Sequence, residues 1–205
     1  MWRLTPIEAG PSDKDLQAIA EKLHPNERDI PNFLRLLAKS RAATVAYVQA
    51  EEALANGELT PYQREQIALA VAEIDGSAYC LAVHEKVARE IGLSDEEIQS
   101  ARKALANNPK TQAMLHFVQA VVLQRGEVSD ADFWAVRQAG FSEVEVVEIL
   151  ANISLNIFAN YFNILAWTDL DFPRPRAGQP TSLSSAEVTN NTRRRPRSMQ
   201  PLSHP

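Results

Sequence analysis

Six hydroxyl residues, Ser40, Thr60, Ser77, Ser94, Ser129 and Ser142, cut this sequence into segments of helical length. Such residues satisfy the orphan N–H groups at the start of a helix, so a series of them limits the folds open to the chain. Thr60 is followed by Pro61, which suits the first helical position. Ser94 stands three residues before Glu97, the spacing of a capping box, and acids follow Ser129 at Asp130 and Asp132. Gly57, Asp75-Gly76, Gly92 and Gly140 are stops, and Pro109-Lys110 breaks the pattern before a helix expected over 111–124. Between these marks apolar residues recur at helical spacing, as at Phe33, Leu36, Leu37, Val45 and Val48, and no sustained period-two run occurs. The expectation is an all-α fold, with an early helix over 14–24 capped by Asp13 and a last long one from Ser142 through Trp167. Ile67 to Ala72 is apolar on every side, as in a helix buried in a core or an oligomer interface.

Composition divides the chain further. From Pro173 onward lie six arginines, one acid (Glu187) and six of the twelve prolines, with almost no large apolar residue. Such a segment cannot bury enough surface to offset its ordering entropy. The division expected is an N-terminal helical extension over 1–30, a helical domain over 31–173 and a disordered basic, Pro-rich tail over 174–205. The run RRRPR can serve an acidic partner or targeting, or be a solvated tail with no specific partner.

Several classes are disfavoured. One cysteine rules out an internal disulfide and fits a reducing, cytoplasmic setting. The N-terminus has no apolar signal region, and no apolar run reaches bilayer length, so no membrane partner is expected. A net charge of −5 argues against a nucleic-acid-binding body. No phosphate-binding glycine loop or zinc spacing is present. Glu21-Lys22-Leu23-His24 has a di-iron spacing but no second copy, and reads as a solvated helix face. His116 reads as a packed or surface histidine, and Phe133 and Trp134 as core.

The chemistry concentrates in DGSAYCLAVHEK, residues 75–86. With Ser77 as N-cap, Cys80 is the third residue of its helix, near unpaired N–H groups and the positive end of the dipole, which favour thiolate. His84 stands one turn on, on the same face. Glu65, in the preceding helix, can orient the imidazole across the Asp75-Gly76 turn. Apolar burial would push the thiol pKa the other way, and a lone Cys on an alanine-rich helix is equally a small core residue. A faint repeat lays residues 65–80 over 148–163 at an offset of 83, pairing Ser77 and Cys80 with Asn160 and Asn163. It suits a duplicated helical hairpin with chemistry in its first copy only.

The segment LTPYQREQIALAVAEIDGSAYCLAVHEKVAREIGLS resembles the signature of the AhpD-like alkylhydroperoxidase and carboxymuconolactone decarboxylase superfamily: a leading Glu, an apolar helix, then Cys-x-x-Cys-x-x-x-His. The likeness extends from IPNFLRLLAKS to WTDLDFP, where it resembles the peroxidase-related branch. It implies an all-helical, oligomeric protein (a trimer or a multiple) without a bound prosthetic group. It places the leading Glu on Glu65, the second Cys on Cys80 and the His on His84, as catalytic residues. The first Cys falls on Ser77, which cannot form a disulfide, and Tyr79 between them is no relay base at neutral pH. Three readings follow: reduction of a small hydroperoxide by Cys80 alone with an external thiol reductant; non-redox chemistry on a carboxylic acid by Glu65 and His84; or a degenerate binding or structural protein.

Overall fold

The computed structural model of the chain describes residues 3–7, 14–23 and 29–175. Among them are nine helices and no strand: α1 (Lys14–Leu23), α2 (Asn32–Leu37), α3 (Arg41–Ala55), α4 (Pro61–Asp75), α5 (Ala78–Glu90), α6 (Asp95–Arg102), α7 (Pro109–Gln124), α8 (Asp130–Gln138) and α9 (Glu143–Ala166). All six hydroxyl residues are N-caps, each accepting from the backbone N–H three residues on. Capping boxes close at Thr60, Ser94 and Ser142. Pro109 does not interrupt α7 but opens it, because Asn108 caps the helix and proline's missing N–H costs nothing at that position. Asp13, His24 and nearly all of the basic tail lie outside the described residues.

The apolar stretch of α4 explains the architecture. Ile67, Ala68, Leu69, Ala70, Val71 and Ala72 are all buried, because α5, α6, α7 and α9 pack around this helix. The chain's own core therefore consumes the stretch, and it offers no interface to a second copy. One cluster gathers α4, α6, α7 and the first half of α9. A second joins α1, α2 and α5, where Phe33, Leu34, Tyr79, Cys80 and Phe172 meet. Ala20 of α1 is buried there, so the N-terminal helix is docked.

Between α4 and α5 the chain reverses at Gly76, whose φ of 70° is a left-handed conformation that favours glycine. The repeat does not produce a second such hairpin. Residues 148–163 lie within unbroken α9, since the counterparts of Asp75 and Gly76 are Phe158 and Ala159, which do not stop a helix. Glu148, the counterpart of Glu65, instead accepts from the N–H groups of Glu58 and Leu59 and pins the α3–α4 loop.

By length and composition α9 is also a candidate membrane span, with a mean hydropathy of 1.4 over its best window, where the sequence reading found none. It carries buried Asn152, Asn160 and Asn163, and its inner side packs on α4 as a core helix. Its outer side exposes Val144, Val147, Leu150, Phe158, Tyr161 and Leu165. Trp134 is exposed as well: α8 sends Val136 into the core and turns the indole outward, against the reading of Trp134 as core. His116 is at the surface.

Candidate active site

The α4–α5 turn sets two antiparallel helices side by side, with Glu65 on one and His84 on the other. Their side chains meet: His84 Nδ1 lies 2.9 Å from Glu65 Oε2. Burial works against the imidazolium, but the Glu65 carboxylate and its hydrogen bond outweigh it and raise the His84 pKa.

Cys80 occupies the third position of α5, as the sequence indicated. Its backbone N–H is capped by Ser77 Oγ at 3.4 Å. Ser77 is 1% exposed, so its hydroxyl belongs to the interior of the site. Asn163 of α9 reaches the sulfur from the other side, Nδ2 to Sγ at 3.3 Å. The thiol pKa is nevertheless raised. Cys80 is only 4% exposed, and burial exceeds the opposing hydrogen bonds from Ser77 and Asn163, while the Asp75 charge adds to the rise. The helix terminus does not prevail at this depth, which corrects the expectation of a lowered thiol pKa.

Cys80, His84 and Glu65 open onto one pocket of about 120 Å³, bordered also by Phe33, Tyr47, Glu51, Tyr79 and Asn163. The sulfur's hydrogen bonds run to Ser77 and Asn163, and His84 stands on the pocket wall one turn along α5. The Tyr79 hydroxyl accepts from Phe33 N–H at 3.2 Å and ties α5 to α2. Burial and the Asp171 carboxylate raise its pKa, so it stays a phenol. Among the described residues no group of His, Cys, Asp and Glu is arranged to hold a metal.

Sequence reasoning missed Glu51 and Tyr47, which α3 brings to this wall. Tyr47 Oη donates to Glu51 Oε1 at 3.1 Å, and Phe33 holds the tyrosine ring edge-on, with centroids 5.0 Å apart. Burial raises the Glu51 pKa, with His84 and the Tyr47 hydroxyl opposing. The only signal was the i, i+4 spacing of Tyr47 and Glu51, which many solvated helices share. Asn163 had a faint signal, its alignment with Cys80 in the repeat.

The sequence of residues 41–122 matches the Carboxymuconolactone decarboxylase family. No curated protein sequence matches the chain. Among solved structures the fold is similar to an AhpD-core, peroxidase-related protein from Ralstonia eutropha JMP134 (TM-score 0.72, 23% identity, 83% of this chain and 92% of that one). It is similar to a peroxidase-related protein from Silicibacter sp. TM1040 (0.71, 19%, 82% and 92%). It is similar also to a cysteine-to-alanine variant of the debrominase Bmp8 in complex with 2,3,4-tribromopyrrole (0.71, 19%, 82% and 91%). The fold is thus the all-α AhpD-like fold.

Proposed function

We propose that this chain, an AhpD-like all-α protein with a carboxymuconolactone decarboxylase family domain over residues 41–122, is a one-cysteine peroxidase for small, uncharged hydroperoxides. The observation that carries the reading is the opening of Cys80 onto the same small pocket as the Glu65–His84 pair. Burial keeps Cys80 a thiol at neutral pH, so attack requires a base, and His84, oriented by Glu65, takes the proton directly or through one water. The sulfur attacks the distal peroxide oxygen, the O–O bond breaks, and Cys80 becomes a sulfenic acid as an alcohol leaves. Ser77 cannot resolve that species. An external thiol condenses with it, releasing water, and a second thiol restores Cys80 and departs as a disulfide.

The pocket's size and charge support the substrate class. An apolar cavity of about 150 Å³ accepts benzene, so about 120 Å³ suits a molecule of that order or smaller. Two glutamates and, among the described residues, no lysine or arginine line it, which weighs against the carboxylic acid that the non-redox reading needs. A cytoplasmic, homo-oligomeric protein fits the single free thiol and the exposed apolar side of α9.

The test is a single-turnover reaction of reduced protein with tert-butyl hydroperoxide, followed by mass spectrometry after dimedone trapping. The expected product is one adduct at Cys80, absent in Cys80→Ala. A wild-type chain that consumes peroxide without oxidising Cys80, or does neither, overturns the reading.

A further inference from the structure

Breaking an O–O bond leaves a strongly basic alkoxide, and the peroxidatic cycle above leaves the thiol proton on His84 without a group that delivers one to that oxygen from the facing wall. His84 accepts a proton, and Glu65 is engaged with it. Tyr79 is buried, accepts from Phe33 N–H and holds its own proton tightly. The remaining titratable side chains on the wall are Tyr47 and Glu51.

These two arrive together from a different helix. They stand one turn apart on α3, joined by the 3.1 Å hydrogen bond from Tyr47 Oη to Glu51 Oε1. Phe33 meets the Tyr47 ring edge-on and Phe158 lies tilted beside it with centroids 6.2 Å apart, so the ring has little freedom. The tyrosine is close enough to feel the charges of Cys80 and Glu65 as well as that of Glu51. The Glu51 carboxyl feels those of His84, Glu65 and Arg64, while Arg64 itself donates to the Leu59 carbonyl at 2.8 Å. The wall supplied by α3 therefore faces the reacting sulfur and its base across a cavity large enough for one small molecule.

We infer that Glu51, held in place by Tyr47, is the acid that protonates the departing alkoxide, so that the site uses two carboxyl groups in opposite roles. This assignment rests on the peroxidatic reading. Sulfur attacks the distal oxygen, which keeps its hydrogen and becomes Cys80–S–OH. The proximal oxygen takes the electron pair of the O–O bond and the proton of the Glu51 carboxyl, and leaves as alcohol. The Glu51 carboxylate then recovers a proton from His84, which holds the one taken from the Cys80 thiol. Sulfur is oxidised by two electrons and the peroxide reduced by two, and no proton is gained or lost overall. Burial, which lifts the Glu51 pKa, favours its protonated form, and the two glutamates act from different helices: Glu51 faces the pocket from α3, while Glu65 of α4 holds His84.

Leaving-group basicity provides the test. With tert-butyl hydroperoxide the leaving group is an alkoxide and needs a proton. With peracetic acid it is acetate, which hardly needs one. Single-turnover rates of Cys80 oxidation are measured for wild type, Glu51→Gln and Tyr47→Phe with both oxidants. Glu51→Gln should slow the alkyl hydroperoxide reaction by about 10²-fold and the peracid reaction far less. Tyr47→Phe should show the same ordering with a smaller loss, and it decides the matter if Glu51→Gln does not fold. Equal losses on the two oxidants, or no loss on either, overturn the assignment while leaving Cys80 as the peroxidatic residue. A wild-type chain whose Cys80 reacts with neither oxidant overturns the peroxidatic reading and this assignment with it.

Discussion

Asn163 Nδ2 donates to Cys80 Sγ at 3.3 Å across 83 residues of sequence. That separation equals the offset of the internal repeat, so two positions that correspond in the repeat touch in space. The same amide donates to the Ala159 carbonyl, while Asn163 Oδ1 is buried without a partner. The side chain is thus positioned to serve the sulfur.

Asn163→Leu should raise the Cys80 pKa further. A hydrogen bond to a charged group is worth about 1.5–3 kcal/mol, so the thiolate fraction at neutral pH should fall roughly tenfold or more. The pH dependence of iodoacetamide alkylation reads this directly. An unshifted profile would mean that the amide serves packing alone.

The Glu65–His84 pair sets two pH dependences. A histidine whose pKa is raised in the folded state adds stability fully below its unfolded value of about 6.5, and loses it as pH rises through the raised value. The melting-temperature gap between wild type and His84→Gln should therefore be widest in mild acid and shrink toward alkaline pH. Oxidation of Cys80 by peracetic acid, which hardly needs a proton donor, should run oppositely, rising with pH as His84 becomes free to accept a proton. A gap that widens with pH would contradict the pairing.

Ser77→Cys should let an internal disulfide form after oxidation and raise turnover with a dithiol donor, measured by peroxide consumption. Loss of a hydroxyl N-cap costs about 1 kcal/mol, so the reduced variant should melt a few degrees lower. Ser77→Ala should share that loss without the gain.

Away from the pocket, Arg102 is buried between Glu73 of α4 and Glu85 of α5, at 2.6 and 2.8 Å. Glu85→Ala removes one of the two carboxylates on Arg102, leaves Glu73 in place, and should cost about 1.5–3 kcal/mol in urea unfolding. A cost near that of a surface substitution would mean that the cluster rearranges freely.

The outer side of α9 is where a second copy should bind. Light scattering should give a mass above the 22.8 kDa of one chain, and the pair Val147→Glu and Leu150→Glu should reduce it without loss of helicity. A single-chain mass at micromolar concentration for the unmutated protein would remove the homo-oligomer from the reading.

The fold was legible because six of the nine described helix starts are written locally: one hydroxyl side chain and the N–H three residues on decide each of these. Glu65, Cys80 and His84 were legible because two helices and a two-residue turn fix their relation. Glu51 and Tyr47 were not, since they reach the pocket only through the packing of α3 on α9, a long-range event that leaves no local spacing rule. The sign of the Cys80 shift was hidden for a similar reason. Capping is a property of neighbours in sequence, whereas the depth of burial depends on distant segments: Asn163, 83 residues on, reaches the sulfur, and Phe172 belongs to the same buried cluster. Trp134 shows the converse, a large aromatic that the pattern assigned to the interior and the rotation of α8 turned to solvent.

The depth at which Cys80 lies bears on how long an oxidised sulfur would persist. A space of about 120 Å³ matches a small hydroperoxide, whereas a bulkier thiol must reach a sulfur that is 4% exposed. On the peroxidatic reading, oxidation and recovery proceed on separate clocks, the first set by peroxide arrival and the second by reductant access to the buried sulfur. Between the two events that sulfur would hold a record of one encounter in a single oxygen atom.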